Sequence, residues 1–254
     1  MQRLWKCVAG AAVMALAMAT AAPAAAQTGP DPAGQSFRRW SADVAFGFDN
    51  SISGNINSSG VGTLNNQIVV VLSNPYEKVY GTGLHFRFGG GYMIDEISEV
   101  RLTFTFQSLD ADLTPMGDIG SSRLYGQYAD YQSFGMDAGF RRYVDFTSKV
   151  RGYGEGTIGI AVIDETDVVL VAPTTNLAGN ATDFYDKTAA FTMGGNAGVL
   201  FQVTDRLGAY GQFGLRYVTG MAAVDGLRGT GLETINDHSA RWTLPVIAGI
   251  RFQF

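Results

Sequence analysis

The chain closes on Arg241-Trp242-Thr243-Leu244-Pro245-Val246-Ile247-Ala248-Gly249-Ile250-Arg251-Phe252-Gln253-Phe254. In an extended chain Trp242, Leu244, Val246, Ala248, Ile250, Phe252 and Phe254 share one face, and the small, polar or charged residues between them share the other. A period of two over the thirteen residues from Trp242 to Phe254 signals a strand. It is longer than an ordinary globular strand of about five or six residues. It suits a tilted strand that crosses a bilayer.

The other end of the chain reads as an export signal. Arg3 and Lys6 precede an apolar stretch from Val8 to Ala19, and Ala24-Ala25-Ala26 before Gln27 fits the small-residue pattern cut by signal peptidase. We expect residues 1–26 to be a cleavable signal peptide and 27–36, with Pro30, Pro32 and two glycines, a flexible periplasmic lead-in. A retained anchor is the alternative, but the segment is rich in Ala and breaks at Pro23. Cys7 lies inside the signal, so the mature chain has no thiol, disulfide or cysteine metal ligand.

Residues 27–254 carry 16 Lys+Arg against 23 Asp+Glu, a net charge of −7 that argues against a nucleic-acid partner. After residue 26 no apolar run approaches the roughly 20 residues of a membrane helix. Yet 46% of the chain is hydrophobic and 33 residues are glycine. High apolar content without helical spans leaves a secreted β-protein or an outer-membrane barrel.

The dyad recurs along residues 37–254. It predicts strands at Phe37–Phe48, Val79–Tyr92, Ser98–Ser108, Tyr131–Tyr143, Val150–Val162, Ala189–Phe201 and Leu207–Tyr217, which with the C-terminal strand make eight. The fifth is the least regular, since Gly152, Gly154 and Gly156 occupy its expected outer face. Short links near 93–97, 144–149 and 203–206 alternate with long ones near 49–78, 109–130, 163–187 and 219–240. Even strand number and segregated loop lengths point to an all-β, eight-stranded antiparallel up-and-down transmembrane barrel. Both termini are then expected in the periplasm, with the long loops outside. A soluble sandwich alternates too, but has no reason to segregate loop length or to turn aromatic residues outward on nearly every strand.

These strands and the terminal Ile250-Arg251-Phe252-Gln253-Phe254 resemble the small eight-stranded outer-membrane barrels related to the transmembrane domain of OmpA and to the opacity proteins. The resemblance covers all of residues 27–254. It implies a bacterial outer-membrane location in contact with lipid and lipopolysaccharide, and an assembly signal in Ile250, Phe252 and Phe254 similar to that read by the barrel-assembly machinery. OmpA continues into a periplasmic peptidoglycan-binding domain, whereas this chain stops at the barrel, so no cell-wall tether is expected.

Eight strands enclose only enough space for side chains. The predicted inner face carries Arg87, Arg101, Arg141, Arg151, Arg216 and Arg251, with Asp43, Glu99, Asp137 and Glu155, and His85 at mid-strand. Charges in so narrow a lumen must pair, which gives a polar plug, while the excess of arginine would suit a narrow anion-preferring pore. Inward glycines make room for the long arginines.

No spacing suggests a zinc site or a phosphate loop, and no cofactor is expected. Some barrels of this size modify lipid A. His238-Ser239 beside Asp237 supplies the residue types for that chemistry, but neighbours on a strand face opposite ways and no family motif accompanies them. We expect no enzyme. The four long links hold 14 acidic residues against four basic ones, and Asp164-Glu165-Thr166-Asp167 and Asp110-Ala111-Asp112 read either as solvated rim or as divalent-cation ligands. The runs Ile68-Val69-Val70-Val71-Leu72 and Val168-Val169-Leu170-Val171 are too apolar to lie bare in water, so they should extend strands or pack together. The favoured function is a surface barrel whose loops serve envelope integrity, adhesion or a host ligand. Passage of small solutes is the alternative.

Overall fold

The computed structural model describes residues 38–173, 177–236 and 239–254, with backbone only at 177–180. The expected signal, the 27–36 segment, Phe37 and the pair Asp237-His238 lie outside the described residues. β1 (Trp40–Ser53) rises into a first loop holding β2 (Asn55–Asn57), β3 (Gly60–Leu64), β4 (Gln67–Val71), β5 (Asn74–Pro75) and the one-turn helix α1 (Tyr76–Val79). β6 (Gly83–Met93) and β7 (Ser98–Leu109) follow, then the second-loop hairpin β8 (Thr114–Ile119) and β9 (Ser122–Tyr128). β10 (Tyr131–Asp145) and β11 (Val150–Ile163) lead to the third-loop strands β12 (Thr166–Ala172) and β13 (Leu177–Asp186). β14 (Thr188–Gln202), β15 (Leu207–Val218), the short β16 (Ala222–Ala223) and β17 (Arg241–Gln253) complete the chain.

Eight of these strands close an antiparallel barrel in the order β1-β17-β15-β14-β11-β10-β7-β6. Closure runs through the last residue, because Trp40 and Phe254 exchange backbone bonds of 3.3 and 3.0 Å. The dyad does what its period requires. On β1, Val44, Phe46 and Phe48 are exposed while Asp43, Ala45 and Asp49, of the opposite parity, are buried. With no water in hydrocarbon, only a closed set of strands satisfies every backbone group across a membrane. Aromatic pairs mark both borders of the apolar belt: Trp40 against Tyr92 at the short-turn end, and Tyr217 against Trp242 at the long-loop end.

The expected boundaries shift at two strands. The second begins at Gly83 rather than Val79, because Val79 ends α1 and Tyr80 caps it, both buried in the loop core. The first runs past Phe48 to Ser53, which brings Asp49 into the lumen.

The long loops are sheet rather than irregular rim. β3, β4, β8, β9, β12, β13 and β16 form one seven-stranded sheet above the barrel. The two apolar runs both join it, but they do not pair with each other; β8 and β9 of the second loop stand between them. The β3–β4 hairpin turns on Asn65 and Asn66, both left-handed at φ 49° and 61°, as a two-residue hairpin of that twist demands. The outer edge of β3 is covered by the fourth loop, whose Ile235 and Thr230 carbonyls accept from Ser58 and Thr63 N–H at 2.6 Å each. Beneath the sheet lies an apolar core that includes Val69, Val71, Met116, Leu124, Val168, Phe184 and Leu232.

Candidate functional site

The lumen begins at the short-turn end with Glu99. Arg251 grips this carboxylate with two parallel bonds of 2.8 and 2.7 Å, and the Tyr143 and Ser41 hydroxyls donate to it at 2.7 and 2.8 Å. Gly91 faces Glu99 so closely that any Cβ there would collide with the carboxylate. One layer up, Asp43 accepts from Arg101 and from the Tyr210 hydroxyl at 3.0 Å. Glu155 then gathers Arg87 at 2.9 Å and Arg141 at 2.6 and 3.1 Å, with Arg101 Nε at 3.7 Å. The Arg141 guanidinium also stacks 4.0 Å over the Tyr153 ring.

A second tier lies toward the long loops. Asp137 accepts from Thr192 at 2.6 Å and faces Arg216 at 3.5 Å. His85 stands 3.8 Å from Asp49, which also accepts from Gln107 and, at 3.1 Å, from Thr243. Between the tiers is a cavity of about 30 Å3 lined by His85, Arg87, Thr103, Thr105, Asp137 and Arg216 among others. That is room for a water or two. Gly135 lets Thr105 and Arg216 approach the wall, since a Cβ there would sit 2.5 Å from Thr105 Oγ1 and 3.0 Å from Arg216 Nη2.

Arg241 tops the column, fully buried, 4.0 Å over the Tyr131 ring and 5.3 Å from Tyr76. It donates to Ser51 at 3.2 Å and Gln107 at 3.4 Å. Above it the tyrosines tie the long loops to one another: Tyr76 donates to the Ser239 carbonyl at 2.9 Å, Tyr80 to that of Ala129 at 3.0 Å, and Tyr128 to Asn57 at 2.8 Å. Burial pushes the phenols of Tyr76, Tyr80 and Tyr128 well above their ordinary value.

Of the residues expected in the network, the structure brings together Asp43, Arg87, Glu99, Arg101, Arg141, Glu155 and Arg251, and sets His85, Asp137 and Arg216 in the upper tier. Arg151 departs from that expectation. It lies at the lumen mouth, paired with Asp145 and donating to the Glu96 carbonyl at 2.6 Å, because its register opposite Asp145 places it at the turn. Asp49 and Arg241 are inward charges that the sequence reading left out of the network. Among the described residues the lumen then holds six buried arginines and five buried carboxylates.

The terminal Ile250, Phe252 and Phe254 all point outward into the apolar belt. Ser239 is buried, its hydroxyl accepting from Met221 N–H at 2.6 Å, and His85 lies in the lumen rather than beside it. Among the acidic runs, Asp164 pairs with Lys187 at 2.8 Å, which raises the lysine's pKa. No group of metal-ligating side chains occurs among the described residues.

Wall and lumen together define a transmembrane β-barrel, apolar outside and filled by paired charges inside. No family model and no curated protein matches the sequence. Among solved structures the chain is similar to Neisserial surface protein A, at 15% identity and TM-score 0.45, over 87% of this chain and 99% of that one. It is similar to the outer membrane protein OprG from Pseudomonas aeruginosa, at 11% identity and TM-score 0.43, over 87% of this chain and 98% of that one. It is also similar to Ail, the attachment invasion locus protein of Yersinia pestis, at 12% identity and TM-score 0.38, over 85% of this chain and 100% of that one.

Proposed function

We propose that the protein is a non-enzymatic, non-conducting surface barrel of the bacterial outer membrane that presents a rigid, loop-built cap for contact with another surface. The folded cap carries this reading. Loops that served only as connections would not bury a shared apolar core of their own. In this reading the signal is removed, both termini face the periplasm, and the cap stands outside among lipopolysaccharide. The lumenal ion pairs and the cap above them weigh against a narrow solute channel.

The two faces of β4 show what the cap offers. Val69 and Val71 point into the core, whereas Ile68, Val70 and Leu72 are exposed, and Val61 on β3 lies opposite Val70. Exposed apolar stripes on otherwise polar surfaces mark contact sites. This stripe lies in loops whose acidic excess would otherwise repel a negatively charged neighbour. The test is the double substitution Ile68→Asp, Val70→Asp, which leaves the core face intact. The barrel should fold and stay heat-modifiable on gels while cell aggregation or surface binding falls; unchanged adhesion by a folded variant overturns the reading.

A further inference from the structure

At the short-turn end, a groove of about 500 Å3 opens on the lipid side of the wall, lined by Arg38, Thr204, Asp205, Arg206, Leu207 and Phe252. Its volume falls in the range of small-molecule sites, about 300–1,000 Å3. Its floor is apolar, because Leu207 and Phe252 are register partners across β15 and β17 and both face outward in the belt. Its rim is formed by charged residues, Arg38, Asp205 and Arg206.

The rim is also held in place. Thr204 Oγ1 accepts from Arg206 N–H at 3.3 Å and Leu207 N–H at 3.1 Å, which fixes the turn. Gln253 N–H bonds the Arg206 carbonyl at 2.8 Å, and Arg38 Nη1 donates to the Asp205 carbonyl at 2.5 Å. The 146–149 turn is fixed in the same way, Thr147 Oγ1 accepting from Lys149 N–H at 3.3 Å and Val150 N–H at 3.1 Å, and Arg151 reaches the Glu96 carbonyl of the 94–97 turn. What sets 203–206 apart is an arginine beside an aspartate within the turn itself. Ile94-Asp95-Glu96-Ile97 has acids and no arginine, and Phe146-Thr147-Ser148-Lys149 has a single lysine.

We propose that this groove binds the headgroup of a phosphoethanolamine lipid in the facing leaflet. Two guanidiniums suit a phosphate diester, whose oxygens accept charge-assisted bonds from arginine. The carboxylate suits a primary ammonium, which carries N–H donors. A choline headgroup has no N–H to give Asp205, and a glycerol headgroup has no cation to offset it. The acyl chains lie along Leu207 and Phe252, continuous with the belt that already faces hydrocarbon. In the orientation proposed above, this is the periplasmic leaflet.

The test uses the mature chain refolded in nanodiscs with equal phosphatidylethanolamine, phosphatidylcholine and phosphatidylglycerol, followed by extraction in mild detergent and native mass spectrometry of retained lipid. Symmetric discs make the outcome independent of orientation and of the cap. Phosphatidylethanolamine should be retained preferentially, and each of Arg38→Gln and Arg206→Gln should weaken retention about fivefold. Asp205→Asn should keep phosphate binding while erasing the preference over phosphatidylglycerol. Heat-modifiability confirms that each variant is folded. Equal retention of the three lipids, or retention unchanged in the double arginine variant, overturns the proposal. Retention that appears only after residues 27–36 are removed would make the chain itself the occupant, and overturns it as well.

Discussion

Arg141 crosses the middle of the barrel to Glu155, its Nε and Nη2 both donating to one carboxylate oxygen at 3.1 and 2.6 Å. The same carboxylate also serves Arg87 and Arg101 from its other oxygen, so one acid holds three cations in place. Removing one partner of a buried pair leaves an uncompensated charge and costs about 3–5 kcal/mol. We predict that Glu155→Gln lowers the unfolding free energy of the refolded barrel by an amount in that range, read as a lower urea midpoint. Asp137→Asn should cost less, because Arg216 is its single ionic partner, at 3.5 Å. Tryptophan fluorescence through the transition gives both midpoints, and equal effects would place Asp137 in the same network as Glu155.

The outer wall supplies a depth-dependent prediction. An arginine on the lipid face costs roughly 2–4 kcal/mol at the midplane of a barrel and about 0–1 near the interface. Phe104 is packed 5.1 Å from the Phe88 ring within the belt, whereas Val203 is exposed at a short turn. Phe104→Arg should impair refolding into liposomes far more than Val203→Arg, as measured by the heat-modified fraction. Similar yields would mean that the belt is placed wrongly.

Pro245 interrupts the wall. The β15–β17 ladder pairs Phe213 with Val246 and Arg216 with Thr243, but leaves out Gly214 and Leu215, where a proline has no N–H to give. Leu215 still pairs with Gly195 on β14, so amide exchange should be faster than in the neighbouring residues at Gly214 and ordinary at Leu215. Pro245→Val restores a donor and should slow that exchange while adding about 0.5–1.5 kcal/mol of stability. Unaltered exchange in the variant would show that the gap is closed by another group.

The cap has its own pH limit. Burial raises the phenols of Tyr76, Tyr80 and Tyr128 above their ordinary value of 10.0, so ionisation favours the unfolded cap. Their stabilising contribution is complete below pH 10 and is lost as pH rises beyond it, at about 1.4 kcal/mol per pH unit per tyrosine. Absorbance at 295 nm should therefore climb together with protease sensitivity of the long loops. Titration near pH 10 with the loops still resistant would contradict burial.

The eight strands were legible because nearly every one keeps a dyad over ten or more residues, the glycine-rich fifth being the least regular, a pattern that the membrane outside and the charges inside both enforce. Asp49 escaped because Asn50 and Ser51 look like loop, although its parity with Asp43 on the same strand marks it as inward. The cap was less visible. Its strands are two to ten residues long, and β4 turns valines to both core and solvent, so composition alone could not assign a face. Arg241 carried no signal of its own; its partners Tyr131 and Tyr76 come together only through the fold.

Closure of the lumen is tested most directly by planar-bilayer recording of the refolded protein. With Glu155 and Glu99 holding the arginines and the loop core covering the long-loop end, no steady conductance above the bare bilayer is expected at either polarity. A stable, ion-selective conductance that disappears in Arg141→Met or Arg216→Met would contradict the filled lumen and identify the arginine column as the lining of a pore.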